Sequence, residues 1–195
     1  MKSLIIGFTI VANALMACSN SNDNTTDAKQ MDVLKDTVKT TYQQAATDTA
    51  KFSSKEIIAN YLQLKNALTK DNGKDAAAAG NAIVAILSKI DKTSLSADQQ
   101  KVYADLQDDI KENAEHIGEN ANKIDHQREH FEMLSKDMAD LVKTFGNGGQ
   151  TLYKDFCPMA NDGKGAIWIS ETKDIKNPYL GKKMPTCGSV KETIQ

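Results

Sequence analysis

The stretch His116-Ile117-Gly118-Glu119-Asn120-Ala121-Asn122-Lys123-Ile124-Asp125-His126 decides the fold. Before it, Val102, Leu106, Ile110, Ala114 and Ile117 place an apolar side chain at every third or fourth position; after it, Ile124, Phe131, Leu134, Met138, Leu141, Val142 and Phe145 keep the same phase. That periodicity marks helix on both sides. A single helix over residues 97–145 would extend roughly 70 Å at the α-helical rise per residue, longer than a chain of 195 residues can cover with its own core. A break at residues 118–123, where Gly and Asn favour a turn, is therefore expected, and the two helices fold back on one another.

Two more helices precede this hairpin. Ser53 and Glu56 have the spacing of a reciprocal cap, and Ile57, Ile58, Tyr61, Leu62, Leu64 and Leu68 follow as one apolar face. Asp71-Asn72-Gly73 ends that helix, and residues 74–90 form the next, with Ile83, Val84, Ile86, Leu87 and Ile90 inward. Its run Ala76–Ala79 lets a neighbouring helix approach closely. Ser96 and Gln99 cap the third helix in the same reciprocal way. The expected architecture is all-α: an up-and-down bundle of about four helices over residues 53–146, followed by a small irregular tail at 147–195 with short extended segments.

The hairpin has a chemical consequence. All three histidines lie near it, and His126 and His130, four apart, share one helix face, the spacing at which two imidazoles reach one metal ion. On a continuous helix His116 would stand about 15 Å from His126; on a hairpin the two face each other. Solvated histidines on a charged helix, Asp125-His126-Gln127-Arg128-Glu129-His130, are the competing reading. Phe131, Met133 and Met138 are read as core.

The tail holds all three prolines, the one tryptophan and two of the three cysteines. Cys157-Pro158-Met159 resists helix, and alternation in an extended chain would turn both sulfurs to one side. Met184 and Cys187 make a second sulfur pair. Thiolate and thioether suit Cu(I), with His126, His130 or His116 completing the site. A disulfide between Cys157 and Cys187 competes with this reading, and both stay open. Ala166-Ile167-Trp168-Ile169 is expected as a short strand that pins the tail to the bundle.

At the other end, Lys2, an apolar run over residues 4–15 and Leu15-Met16-Ala17-Cys18 resemble a bacterial lipoprotein signal, with 1–17 removed and Cys18 carrying lipid; an ordinary secretory signal is the alternative. Residues 18–28 read as a polar tether and 29–52 as a leader helix. The chain is thus expected in the cell envelope, exported and facing the periplasm or on the outer membrane, held to the membrane by its lipid. A formal net charge of −2 with dispersed lysines gives no reason to expect nucleic acid. Phosphate loop, nucleophile elbow, His-Glu-x-x-His and Cys-x-x-Cys patterns are all absent, so no enzyme is expected.

Tyr61-Leu62-Gln63-Leu64-Lys65-Asn66-Ala67-Leu68, His126-Gln127-Arg128-Glu129-His130-Phe131, Cys157-Pro158-Met159, Trp168-Ile169-Ser170, Asn177-Pro178-Tyr179, Met184 and Cys187-Gly188, in that order, resemble the DUF3347 family. The family has no assigned function. Some members resemble a domain fused to periplasmic adaptors of copper and silver efflux pumps. The resemblance implies a non-catalytic module that buffers copper or delivers it to an efflux adaptor, with His126, His130, Cys157, Met159, Met184 and Cys187 as the positions of interest and His116 beside them. Its alternative is a disulfide-clasped module that docks on an envelope or efflux partner without metal.

Overall fold

The computed structural model describes residues 53–195; the signal, tether and leader helix expected at 1–52 lie outside them. Four helices come first: α1, Ser54–Thr69; α2, Gly73–Leu87; α3, Ala97–Glu119; and α4, Ile124–Phe145. They are followed by three strands, β1 (Leu152–Cys157), β2 (Ala166–Ser170) and β3 (Ser189–Ile194). No described helix is long and apolar enough to cross a membrane.

The helical half agrees with the sequence in outline and corrects it in three details. The reciprocal cap at Ser96 and Gln99 is present, whereas Ser53 caps the amide of Lys55 instead of pairing with Glu56. Gly73 begins α2 rather than ending α1: Asp71 takes the left-handed conformation at φ +56°, and Asn72 caps the amide of Asp75. The hairpin break is confined to residues 120–123, and Gly118 stays helical. Its missing side chain makes room for the Asn81 side chain, so Gly118 is a packing glycine. Gly80 serves the same contact: a Cβ there would lie 2.7 Å from the Ala114 carbonyl oxygen and 3.2 Å from the Gly118 amide nitrogen. Small residues thus bring α2 and α3 together backbone to backbone, as the Ala76–Ala79 run leads one to expect.

The tail is more ordered than expected. Its strands form one antiparallel sheet in the order β2-β1-β3. Trp168 is fully buried and sits opposite Asp155 of β1, which confirms β2 as the strand that pins the tail. Rings carry the core from bundle to sheet: Tyr61 stacks on Phe131 at 5.3 Å, Phe131 meets Tyr179 at 5.5 Å, and Tyr179 meets Trp168 at 6.0 Å. The Tyr61 hydroxyl pairs with Ser135 Oγ at 2.8 Å and accepts from the Ile169 amide at 3.1 Å, joining α1, α4 and β2 in one buried network. Buried Lys65 donates to Glu171 just past β2 at 2.7 Å.

Arg128 of α4 fastens the loop between β2 and β3. Its guanidinium donates to the Pro178 carbonyl at 2.9 Å and the Leu68 carbonyl at 3.2 Å, and pairs with Asp71. Asp71 in turn accepts the Lys182 amide at 3.3 Å.

Adding a methyl group where the α2 and α3 backbones touch leaves no flexible neighbour to yield. Gly80→Ala is expected to destabilise the protein by about 1–3 kcal/mol despite its higher helix propensity, read as a lower urea midpoint with unchanged slope. An equal or higher midpoint would contradict the contact.

Candidate metal centre

The turn at residues 120–123 places the last turn of α3 against the first two turns of α4. It is held from inside by Gln127, whose side chain is fully buried. The Gln127 amide nitrogen donates to the Ile117 carbonyl at 3.0 Å and to the Gly73 carbonyl at 2.9 Å, so the end of α3, the start of α4 and the start of α2 share one anchor. Asn120 closes the end of α3 by donating to the His116 carbonyl at 2.8 Å.

The three histidines meet as a result. His116 and His130 stack at 4.2 Å between centroids, His126 lies 4.6 Å from His130 and 6.1 Å from His116, and one ligand nitrogen from each falls within 4.8 Å of the others. All three are half-buried. A tetrahedral ion with metal–nitrogen bonds of 2.0–2.1 Å needs its nitrogens about 3.4 Å apart. Holding such an ion would require side-chain rotation, because the His116 and His130 rings lie parallel in a stack.

Hydrogen bonding fixes which nitrogen is offered. Asn113 Nδ2 donates to the Asp109 carbonyl at 2.9 Å, so Asn113 Oδ1 faces His130 Nδ1 at 3.0 Å and accepts its proton. His126 Nδ1 faces the Glu129 carboxylate at 3.0 Å and likewise carries the hydrogen. In the neutral form of each ring Nε2 then keeps its lone pair, the arrangement by which outer carboxylates and amides orient metal-binding imidazoles. Burial, then the neighbouring His116 and His126, hold the His130 pKa below its ordinary value, which favours the neutral, ligating form.

The surroundings are acidic. Asp109, Glu112, Asn113, His130, Met133, Lys136 and Asp137 line a groove of about 350 Å³ between α3 and α4. Burial and the charges of Asp109 and Asp140 raise the Asp137 carboxyl to about 6. Met133 is 41% exposed at this groove and is not core, in contrast to the buried Phe131 and Met138. It also borders a neighbouring groove with Glu129, Met159 and Tyr179.

The sulfurs assemble differently from the expectation. Strand β1 ends at Cys157 and the chain turns at once, so alternation does not carry through Pro158: Cys157 is fully buried while Met159 is 54% exposed. Met184 is also exposed. Cys157 and Cys187 do come together, Sγ to Sγ at 3.0 Å, but neither joins the histidine group. The mixed sulfur–imidazole site thus separates into a histidine triad on the hairpin and a thiol pair in the sheet. Asn113 and Glu129 were not singled out as site residues from sequence, and Met133 was read as core; the three-residue spacing of Glu129 from His126 is a local signal for their pairing, whereas Asn113 reaches His130 across from α3 to α4 and has no local signal.

These features define a class: a four-helix bundle with an appended three-stranded sheet and a histidine triad at one helical turn. Residues 57–150 match the family model described as "Protein of unknown function (DUF3347)", the family whose motifs the sequence resembles. The match spans the bundle with all three histidines and ends before β1 and both tail cysteines. Neither the curated proteins nor the solved structures contain a match to the chain.

His130 makes stability depend on pH in a definite direction. Its folded pKa lies below the unfolded value of about 6.5, so its contribution is complete above that value and is lost as pH falls through it toward the folded pKa. The urea midpoint is expected to drop between pH 8 and 5 by more in the wild type than in His130→Gln. Equal drops would show that the imidazole is not held neutral.

Proposed function

We propose that this protein is a non-catalytic metal-binding module whose ion is held by His116, His126 and His130. One observation carries the reading: three imidazoles from two helices converge at a turn, two of them with their tautomers fixed by outer hydrogen bonds. Copper is the proposed cargo. Imidazole suits copper and zinc, and copper stands at the top of the divalent affinity order. The tail sulfurs, first considered as Cu(I) ligands, are in this reading outside the coordination sphere.

The geometry favours an exchangeable ion. Structural zinc sites are closed by four protein ligands, whereas three half-exposed histidines leave a position open to water or to a ligand from another molecule. Acidic side chains along the α3–α4 groove attract the cation. A role in buffering copper, or passing it to an efflux adaptor in the envelope, follows from this openness together with export and anchoring through Cys18.

The test is a competition titration of the full chain carrying Cys18→Ser with Cu(I), Cu(II) and Zn(II). One ion per chain is expected, and each of His116→Ala, His126→Ala and His130→Ala should weaken affinity by at least about 100-fold. Glu129→Gln and Asn113→Leu should cost about 10–100-fold through the orientation of their imidazoles. Affinity should also fall as pH is lowered through the imidazole range, because protons compete for the ligand nitrogens. Unchanged affinity in the histidine variants, with loss in Cys157→Ser or Cys187→Ser, would overturn the assignment.

A further inference from the structure

The thiol pair is built by backbone constraints separate from the triad. Asn177 is fully buried and spends its whole side chain on the segment leading to Cys187. Its Nδ2 donates to the Cys187 carbonyl at 2.6 Å, and its Oδ1 accepts the Tyr179 and Leu180 amides, both at 2.8 Å. Its own amide donates to the Pro185 carbonyl at 2.8 Å. Gly188, at φ +140°, lets the chain lie flat on β1: a Cβ there would meet the Trp168 ring at 2.9 Å and the Phe156 carbonyl oxygen at 3.0 Å. Cys187 is thereby held with its sulfur 3.0 Å from that of Cys157, thirty positions away in the chain.

The two sulfurs differ in access. Cys157 is fully buried, whereas Cys187 is partly exposed. Contact with Cys157 and partial burial push the Cys187 thiol above its ordinary pKa, so its reaction quickens as pH rises. Beyond Cys187 the chain enters β3, a largely exposed strand that pairs with β1 and stands at the edge of the sheet among the described residues.

We propose that Cys157 and Cys187 form a thiol–disulfide exchange pair in which Cys187 meets the oxidant and Cys157 resolves it, the resulting bond clasping β3 to the sheet. The oxidant is a small-molecule or protein disulfide. The Cys187 thiolate attacks one oxidant sulfur and expels the other half as a thiol after protonation. Cys157 then loses its proton and attacks Sγ of Cys187 in the mixed disulfide, expelling the second half. The two protein thiols have lost two protons and two electrons, and the oxidant disulfide has become two thiols.

The experiment uses the full chain carrying Cys18→Ser, reduced and then exposed to oxidised glutathione with a chelator present, so that metal binding does not enter. Intact mass is read before and after alkylation in denaturant. The wild-type pair is expected to lose two hydrogens and retain no glutathione, with Tm rising by about 5–10 °C. Cys157→Ser should retain one glutathione on Cys187, and Cys187→Ser should retain none. Two alkylatable thiols in the oxidised wild type, or glutathione retained there, would overturn the proposal whatever the variants do. Retention by Cys187→Ser instead of Cys157→Ser would overturn the order of attack.

Discussion

The buried amide of Gln127 is the constraint on which the rest depends. Its two donated hydrogen bonds join the carbonyl that closes α3 to the one that opens α2, and do so from the first turn of α4. Each of these hydrogen bonds contributes about 0.5–1.5 kcal/mol, so opening the turn at residues 120–123 forfeits both. His126 on one side of Gln127 then points at the triad, and Arg128 on the other reaches the loop that carries Pro178 and Lys182. Three consecutive residues thus set the hairpin, the histidine cluster and the docking of the sheet.

Bundle and sheet are bound by unlike means. Stacked and tilted rings from Tyr61 to Trp168 exclude water, and the Tyr61 hydroxyl fixes the register of α1, α4 and β2. Lys65, Arg128 and Asn177 add polar ties, each charge or amide engaged on entering the interior. The thiol pair lies on the sheet side of this junction and the histidines on the hairpin. The proposed metal and redox chemistry therefore fall on separate parts of the molecule.

Helices, their order and the hairpin break were legible because a 3.6-residue period is sustained over long segments and the cap at Ser96 is local, whereas the Asn72 cap of α2 was read as the end of α1. The convergence of the histidines was legible once the break was placed. The sheet was not: β3, with Ser189, Lys191, Glu192 and Thr193, lies exposed at the edge and carries no apolar alternation, and β1 is interrupted by a bulge at Lys154 and Asp155. Gly118 reads locally as a breaker, and only the position of Asn81 makes it a packing residue. Cys157 and Met159 share a side only if the strand continues, and Pro158 begins a turn. Met133 follows the apolar phase of α4 yet faces a groove, a distinction that needs the position of α3.

The most direct test of the central claim is the metal-edge X-ray absorption spectrum of the full chain loaded with one equivalent of copper. The histidine triad predicts nitrogen or oxygen scatterers at about 2.0 Å with the outer-shell pattern of imidazole, unchanged in the Cys157→Ser, Cys187→Ser double variant. Sulfur in the first shell, at about 2.2–2.3 Å, would contradict the account and return the site to the tail.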